Sequence, residues 1–352
     1  MKTGPICGPV RFYSDLTRQP MNHDKTSETP ARLRLQVRQI RFEGVGINSY
    51  ELVDPAGLSL PSFEAGAHID VHLAQGLVRQ YSLSNDPAER HRYVIAVLND
   101  ANGRGGSQTL HAQLHVQDFV EVSSPRNNFH LSEQAEKVIL IAGGIGVTPL
   151  KSMAHHLERT GKPYALYYCA KDRNYAAFTG EFELFSSKDS HRFHFDGGDP
   201  AKGLNISELL REPEDGQHVY YCGPAGFMKA CAAAAMHWPT GTVHAEHFKA
   251  AAETIGETDL SVAGAVGGFT VKVASSGALV EVGPQQSIVD ALSAIGVVIE
   301  TSCQSGLCGS CKTHYLSGDV DHHDCILSDD EHKAYLTACV SRARSGVLVL
   351  DL

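Results

Sequence analysis

No stretch of this chain approaches the about 18 consecutive apolar residues that a membrane-spanning helix needs, so no membrane partner is expected. The first 30 residues hold no apolar core of the signal-peptide kind; Lys2, Arg11, Arg18 and prolines 5, 9, 20 and 30 interrupt them. Basic residues are in deficit. Thirty Lys and Arg against 40 Asp and Glu leave a net charge of −10, which argues against a nucleic acid or an anionic surface as ligand. Internal repeats, low-complexity tracts and DNA-binding elements are missing too. The expected setting is cytoplasmic. What is present is ordinary globular composition, 42% hydrophobic and 20% charged over 352 residues, enough for two or three domains.

Texture along the chain divides it. Residues 1–30 are polar and proline-broken and are expected to be a disordered tail. Over 31–132 the apolar residues alternate with period two, as in Leu33–Val37, Ile69–Leu73 and Tyr93–Leu98, which predicts a small antiparallel β-barrel. From 133 to 248 continuous apolar runs appear at Val138–Ala142 and Tyr164–Tyr168. These alternate with helical stretches, and Val219–Cys222 leads into another, so the segment reads as a doubly wound α/β domain. Residues 249–268 have linker composition, and 269–352 predict a compact α+β unit of the β-grasp kind, with a hairpin, a helix near Ile288–Ile295 and a last strand at Val347–Leu350.

Nine cysteines are an odd number, and five of them, Cys303, Cys308, Cys311, Cys325 and Cys339, crowd the last unit. Without an export signal this density reads as metal binding rather than disulfides. Cys303-x4-Cys308-x2-Cys311 followed by Cys339 has the spacing of a plant-type 2Fe-2S site, with four thiolates holding two irons. Glycine and serine fill the loop, leaving room for backbone N–H groups to approach the sulfurs. A zinc site is the alternative for Cys308-x2-Cys311 alone. The segment from Phe269 onward resembles the plant-type ferredoxin family, and this implies a one-electron carrier that something upstream must load.

Two elements in the barrel segment suit an anion. Arg79-Gln80-Tyr81-Ser82 supplies a forked guanidinium, an aromatic face and a short hydroxyl; strand packing by Tyr81 and a surface charge at Arg79 are the other reading of these four residues alone. Gly105-Gly106-Ser107 stands just before a predicted helix at Gln108–Leu114, where glycines admit close backbone approach. Arg-x-Tyr-Ser resembles the flavin-binding signature of the ferredoxin-NADP reductase superfamily. The resemblance implies that Arg79 and the glycine loop hold a flavin phosphate, that Tyr81 faces the isoalloxazine and that Ser82 lies near flavin N5. It also places Thr148 among the flavin contacts and makes Phe248, in Glu246-His247-Phe248, the candidate for stacking on the ring; a core role at the strand end is the other reading of Phe248.

In the α/β segment Gly143-Gly144-Ile145-Gly146-Val147-Thr148-Pro149 is expected to turn from a strand into a helix and suits a pyrophosphate at the helix N-terminus; a tight turn without a ligand is the other reading. Cys222-Gly223-Pro224 follows the later strand, and the resemblance implies that it faces a nicotinamide; a buried small hydrophobe is the other reading of Cys222. Asp172, after the second parallel strand, suits a free ribose 2′-OH and repels a 2′-phosphate, which favours NADH over NADPH; a solvated loop charge is the other reading.

Barrel, nucleotide domain and C-terminal ferredoxin, in that order, resemble the phthalate dioxygenase reductase family from Ala31 to Leu352. The resemblance implies FMN as the flavin (FAD in relatives with an N-terminal ferredoxin), NADH as co-substrate, a 2Fe-2S cluster and a monomer. It implies no acid–base catalytic residue, because the cofactors carry the hydride and the electrons. The chain holds no Rieske pattern of paired Cys-x-His and Cys-x-x-His and no facial triad legible in the sequence. The implied partner is therefore a separate terminal oxygenase, of the Rieske non-haem iron type, acting on an aromatic acid. A haem monooxygenase as acceptor, a carrier that has lost its flavin, and a redox-sensing regulator are the competing readings. Residues 260–352 carry five basic and ten acidic side chains, net −5, and Asp319, Asp321, Asp324, Asp329, Asp330 and Glu331 are the candidates for an acidic docking face. His155-His156 and His322-His323 are read as surface pairs, because adjacent histidines cannot share one face.

Overall fold

The computed structural model describes residues 32–74, 77–101, 103, 105–248, 268–284, 286–299, 301, 304, 306, 309–324 and 326–352. The expected tail, nearly all of the expected linker, Cys303, Cys308 and Cys325 lie outside the described residues.

Strands β1 (Leu33–Gly44), β2 (Ile47–Val53), β3 (His68–His72), β4 (Val78–Ser82), β5 (Tyr93–Leu98) and β6 (Phe119–Val122), with helix α1 (Gly106–Gln113) between the last two, make the first sheet. Its order is β4-β3-β6-β1-β2-β5, all antiparallel. A bridge between Leu83 and Ile95 and the 2.8 Å bond from Ser84 N to Val94 O join the two outer strands, so the sheet closes into a barrel. Period-two alternation explains the interior: Leu35 and Val37, Ile69 and Val71, Ile95 and Val97, Val120 and Val122 are all buried in one cluster.

The next sheet is parallel and five-stranded, in the order β11-β10-β7-β8-β9. It comprises β7 (Lys137–Gly143), β8 (Tyr164–Ala170), β9 (His191–Phe195), β10 (Gln217–Cys222) and β11 (Val243–Glu246). Helices α2 (Val147–Thr160), α3 (Thr179–Phe182), α4 (Ile206–Leu209) and α5 (Ala225–Ala234) connect the strands. The β7 run is apolar throughout because both faces are covered. Val138, Leu140 and Ala142 pack with Leu150, Met153 and Leu157 of α2, whereas Ile139 and Ile141 pack with Met228 and Cys231 of α5. The doubly wound expectation therefore holds, and β9 is a strand that the sequence reading missed. Ile47, Ala65 and Ala96 of the barrel segment belong to the same cluster as α2, so barrel and α/β sheet share a core.

The last sheet has the order β13-β12-β16-β14-β15, from β12 (Phe269–Val273), β13 (Leu279–Val282), β14 (Lys312–Asp321), β15 (Tyr335–Thr337) and β16 (Arg342–Leu350). β12 and β16 are parallel and the other pairs antiparallel. Helix α6 (Ile288–Ser293) starts at Ser287, whose hydroxyl accepts from Asp290 N, and buries Ile288, Ala291 and Leu292 on the sheet.

Candidate functional site

The flavin-type elements, far apart in sequence, meet in space. A Cβ built on Gly106 would lie 2.4 Å from Arg79 Nε and 2.5 Å from its Cγ, so only glycine lets the Arg79 side chain lie along the start of α1. Gly105 caps that helix in the left-handed conformation at φ 77°. Ser107 points elsewhere: its hydroxyl accepts from Asp100 N at 3.1 Å and ties the loop after β5 to the helix. Tyr81 is partly buried against the barrel core. A guanidinium beside a helix N-terminus that glycines keep open is a fit for a phosphate.

The glycine turn and the Cys-Gly-Pro turn are in direct contact. A Cβ on Gly146 would meet Cys222 O at 2.2 Å, and one on Gly223 would meet Gly143 Cα at 3.0 Å. Pro224 Cδ stands 2.9 Å from the same construction on Gly143. Gly144 takes φ 54° with open space above it. Thr148 is buried, and its hydroxyl donates to Ile145 O at 3.1 Å, which closes the turn. Both turns sit at the carboxyl ends of the adjacent strands β7 and β10, where open α/β sheets take their ligands. Asp172 stands two residues past β8, and its Oδ1 accepts from Asn174 N at 2.8 Å.

Where the barrel faces this sheet, three polar side chains converge. Ser82, buried at the end of β4, donates to Glu246 Oε2 at 3.5 Å. Glu246 ends β11, paired with Cys222 at the end of β10. Burial pushes the Glu246 carboxyl up to about 8, so it is largely protonated at neutral pH. Burial and the nearby Glu246 push the fully buried Cys222 thiol well up, which keeps it neutral. Phe248, two residues on, is 39% exposed and is no core residue. The sequence reading named Glu246 only as part of a strand-closing tripeptide; its place beside Ser82 depends on a contact across 164 residues.

A second group was also missed. Lys151 of α2 is buried, donates to Ser84 O at 3.1 Å, pairs with Glu181 at 2.8 Å and lies 4.5 Å from the Phe178 ring centre. It fixes the helix that begins at the glycine turn to the segment that follows Ser82. His155, one turn on, packs on Phe185 and is partly buried rather than on the surface as expected; burial pushes its pKa down to about 4, so the ring is neutral.

Of the cluster cysteines, Cys311 is 3% exposed and Cys339 partly so. Pairing of β14 with β15 brings them together: Ala338 N donates to Cys311 O at 3.1 Å. Gly306, inside the loop, takes φ 69°, and a Cβ there would lie 2.9 Å from Asp324 Cα. Two thiol positions on neighbouring strand ends and a left-handed glycine in the loop fit an iron–sulfur cluster. The acidic face is smaller than the sequence suggests. Asp324 has no exposed side-chain surface, Asp321 pairs with His323 and Arg344, and Glu331 pairs with Lys312.

Two segments of the chain match known domains. Residues 140–233 match the oxidoreductase NAD-binding domain, and 271–344 match the 2Fe-2S iron-sulfur cluster binding domain. The chain is 51% identical over 328 residues to the tert-butanol monooxygenase / tert-amyl alcohol desaturase reductase subunit of Aquincola tertiaricarbonis, covering 91% of this chain and 96% of that one. It is 42% identical over 328 residues to phthalate dioxygenase reductase of Burkholderia cepacia, covering 93% and 99%. A solved phthalate dioxygenase reductase, described as a modular structure for electron transfer from pyridine nucleotides to 2Fe-2S, superposes with TM-score 0.72 at 42% identity over 91% of this chain and 98% of that one. An intact type IV self-sufficient cytochrome P450 monooxygenase superposes with TM-score 0.77 at 35% identity over 96% of this chain and 43% of its own.

Proposed function

This chain belongs to the phthalate dioxygenase reductase family, and from that membership we propose which of its residues conduct electrons and what receives them. It is an NADH-dependent flavin iron–sulfur oxidoreductase, the reductase component of an oxygenase or demethylase system, with FMN and a 2Fe-2S cluster as cofactors. When bound, the flavin takes two electrons as a hydride and the cluster carries them singly.

The observation that carries the residue assignment is the meeting of Ser82, Glu246 and Cys222 where barrel and α/β sheet touch. Arg79, Gly105 and Gly106 hold the flavin phosphate, with Ser107 and Thr148 bracing the two turns around it. Tyr81 and Phe248 flank the flavin ring. Gly143, Gly144, Gly146, Gly223 and Pro224 shape the nicotinamide and pyrophosphate path, and Asp172 selects NADH by repelling a 2′-phosphate. Protonated Glu246 and the neutral Cys222 thiol keep fixed negative charge away from the point of hydride transfer. Cys303, Cys308, Cys311 and Cys339 ligate the cluster. Residues 31–132, 133–248 and 269–352 are the flavin, nucleotide and ferredoxin domains.

The acceptor is a separate terminal oxygenase, and the protein works as a cytoplasmic monomer without a membrane or nucleic-acid partner. Among the described residues no helix is long and apolar enough to cross a membrane. The partner decides the substrate: relatives bear names that refer to phthalate, vanillate and tert-butanol. A haem monooxygenase is the second reading, favoured by the likeness to the self-sufficient P450.

Reconstitution tests the reading. Mixed with NADH, the protein should lose flavin absorbance and then cluster absorbance with no partner present. A Rieske oxygenase should then draw product in proportion to NADH consumed. Coupling to a P450 with none to any Rieske oxygenase would replace the partner, and FAD in place of FMN on acid release would remove the domain-order argument.

A further inference from the structure

His322 and His323 follow β14, and their neighbours separate them. His323 Nε2 bonds Asp321 Oδ2 at 2.9 Å, on the side of Arg344. His322 turns toward His332, ten residues further along, and their rings stack with centres 4.0 Å apart. Between them lies Asp324, whose side chain has no exposed surface. Its Oδ1 stands 3.1 Å from His332 Nε2 and 4.0 Å from His322 Nδ1. One ligand atom from each of the three residues falls within 4.8 Å of the others.

An ordinary Asp–His pair explains only half of this. It accounts for His332 Nε2 but leaves His322 Nδ1 buried, facing the same carboxylate oxygen and without a hydrogen-bond partner. Two ligand atoms at about 2.0–2.1 Å from a tetrahedral ion stand about 3.3 Å apart; the 3.1 Å pair is close to that separation, and the 4.0 Å pair reaches it when the His322 ring turns out of its stack on His332. The donors are held in place from outside. Asp324 Oδ2 accepts from Leu327 N at 2.9 Å and Ile326 N at 3.3 Å, and the Tyr315 hydroxyl donates to His332 O at 2.8 Å. Supporting bonds of this kind orient ligands around a metal. His322 and His332 keep 18% and 25% of their side-chain surface open, so an ion has a way in.

We propose that His322, Asp324 and His332 bind a divalent first-row cation of the zinc class, in a site separate from the four cluster cysteines. Two imidazoles and one carboxylate are a borderline donor set that suits Zn2+ and leaves a position for water. The location gives the site a consequence. Asp324 lies against Gly306, between Cys303 and Cys308 in sequence, so a bound dication adds positive charge beside Gly306. Positive charge there favours the reduced, more negative cluster.

The test uses the holoprotein, dialysed against excess Zn2+ and then metal-free buffer, with zinc, iron and flavin counted on one sample. About one zinc per chain is expected, removable by EDTA without loss of iron. His332→Ala and His322→Ala should each lower zinc affinity at least tenfold with iron and flavin unchanged, whereas Cys325→Ser should retain zinc. Redox titration should show the cluster midpoint rising with zinc in the wild type and unmoved in His332→Ala. Equal zinc in wild type and both histidine variants, or zinc lost only in Cys325→Ser, overturns the site. A variant that loses iron is replaced by His332→Gln, which keeps the volume, and the same comparison decides.

Discussion

The Ser82 hydroxyl lies 3.5 Å from Glu246 Oε2, so the last residue of a barrel strand touches the last residue of the parallel sheet. Burial holds that carboxyl at about 8, against about 4.5 in an unfolded chain. Flavin reduction by NADH should therefore change with pH near 8 in the wild type, because ionising Glu246 puts negative charge beside the hydride path. Glu246→Gln should flatten that step in stopped-flow traces; an unchanged profile would detach Glu246 from the reaction.

The same shift has a stability consequence of definite sign. Below about pH 4.5 the carboxyl is neutral in both states. As pH rises the unfolded chain ionises first, so the contribution of this group falls until the folded form ionises near pH 8. Urea midpoints of Glu246→Gln should gain on the wild type between pH 5 and pH 8, and should lie closest to it at the acid end of that range.

Arg79 and Gly106 form one unit. Arg79→Met removes charge-assisted bonds to a phosphate of about 1.5–3 kcal/mol and should weaken flavin binding about 10–100-fold, with iron content unchanged. Gly106→Ala should do the same indirectly, because the new methyl takes the place of the Arg79 side chain. Fluorescence titration of the deflavinated protein reads both.

Gly146→Ala places a methyl 2.2 Å from Cys222 O, an overpacking that costs about 1–3 kcal/mol. NADH should bind more weakly, lowering kcat/KM about tenfold, with flavin and iron retained. Asp172→Ala acts on selectivity instead. Removing a like-charge contact with a 2′-phosphate should narrow the preference for NADH over NADPH by about tenfold. No change in the ratio of the two kcat/KM values would return Asp172 to its turn-capping role alone.

Lys151 and Glu181 predict an asymmetry. Glu181→Gln leaves a buried ammonium without its carboxylate and should destabilise the protein by about 3 kcal/mol, whereas Lys151→Met, which fills the same space, should cost far less. Urea unfolding of both variants measures the difference.

Much of this protein is decided by local pattern. Period two in Leu33–Val37 and Tyr93–Leu98 makes barrel strands, and the unbroken run Val138–Ala142 makes a strand covered on both faces. Cysteine spacing alone points to the cluster, because three cysteines on one loop are a local feature, and the match of residues 271–344 to a 2Fe-2S domain agrees. Arg79, Tyr81, Ser82 and the glycine turns stand out as short motifs for the same reason, although the contacts of Gly106 with Arg79 and of Gly146 with Cys222 come only with the fold.

Tertiary structure decided what depends on separated segments meeting. Glu246 reads as an ordinary strand-end residue until the α/β sheet presents it to Ser82, and only that burial raises its pKa. Lys151 is one more helical lysine until α2 packs against the barrel. His322-His323 is a surface pair by sequence, and in the structure the two rings do turn apart, His323 to Asp321 and His322 to His332. His322 gained a different partner, His332, when the chain between them folded back over Asp324. Sequence fixes what happens within a turn of helix or a strand, while burial and charge pairing across tens of residues exist only once the cores have closed.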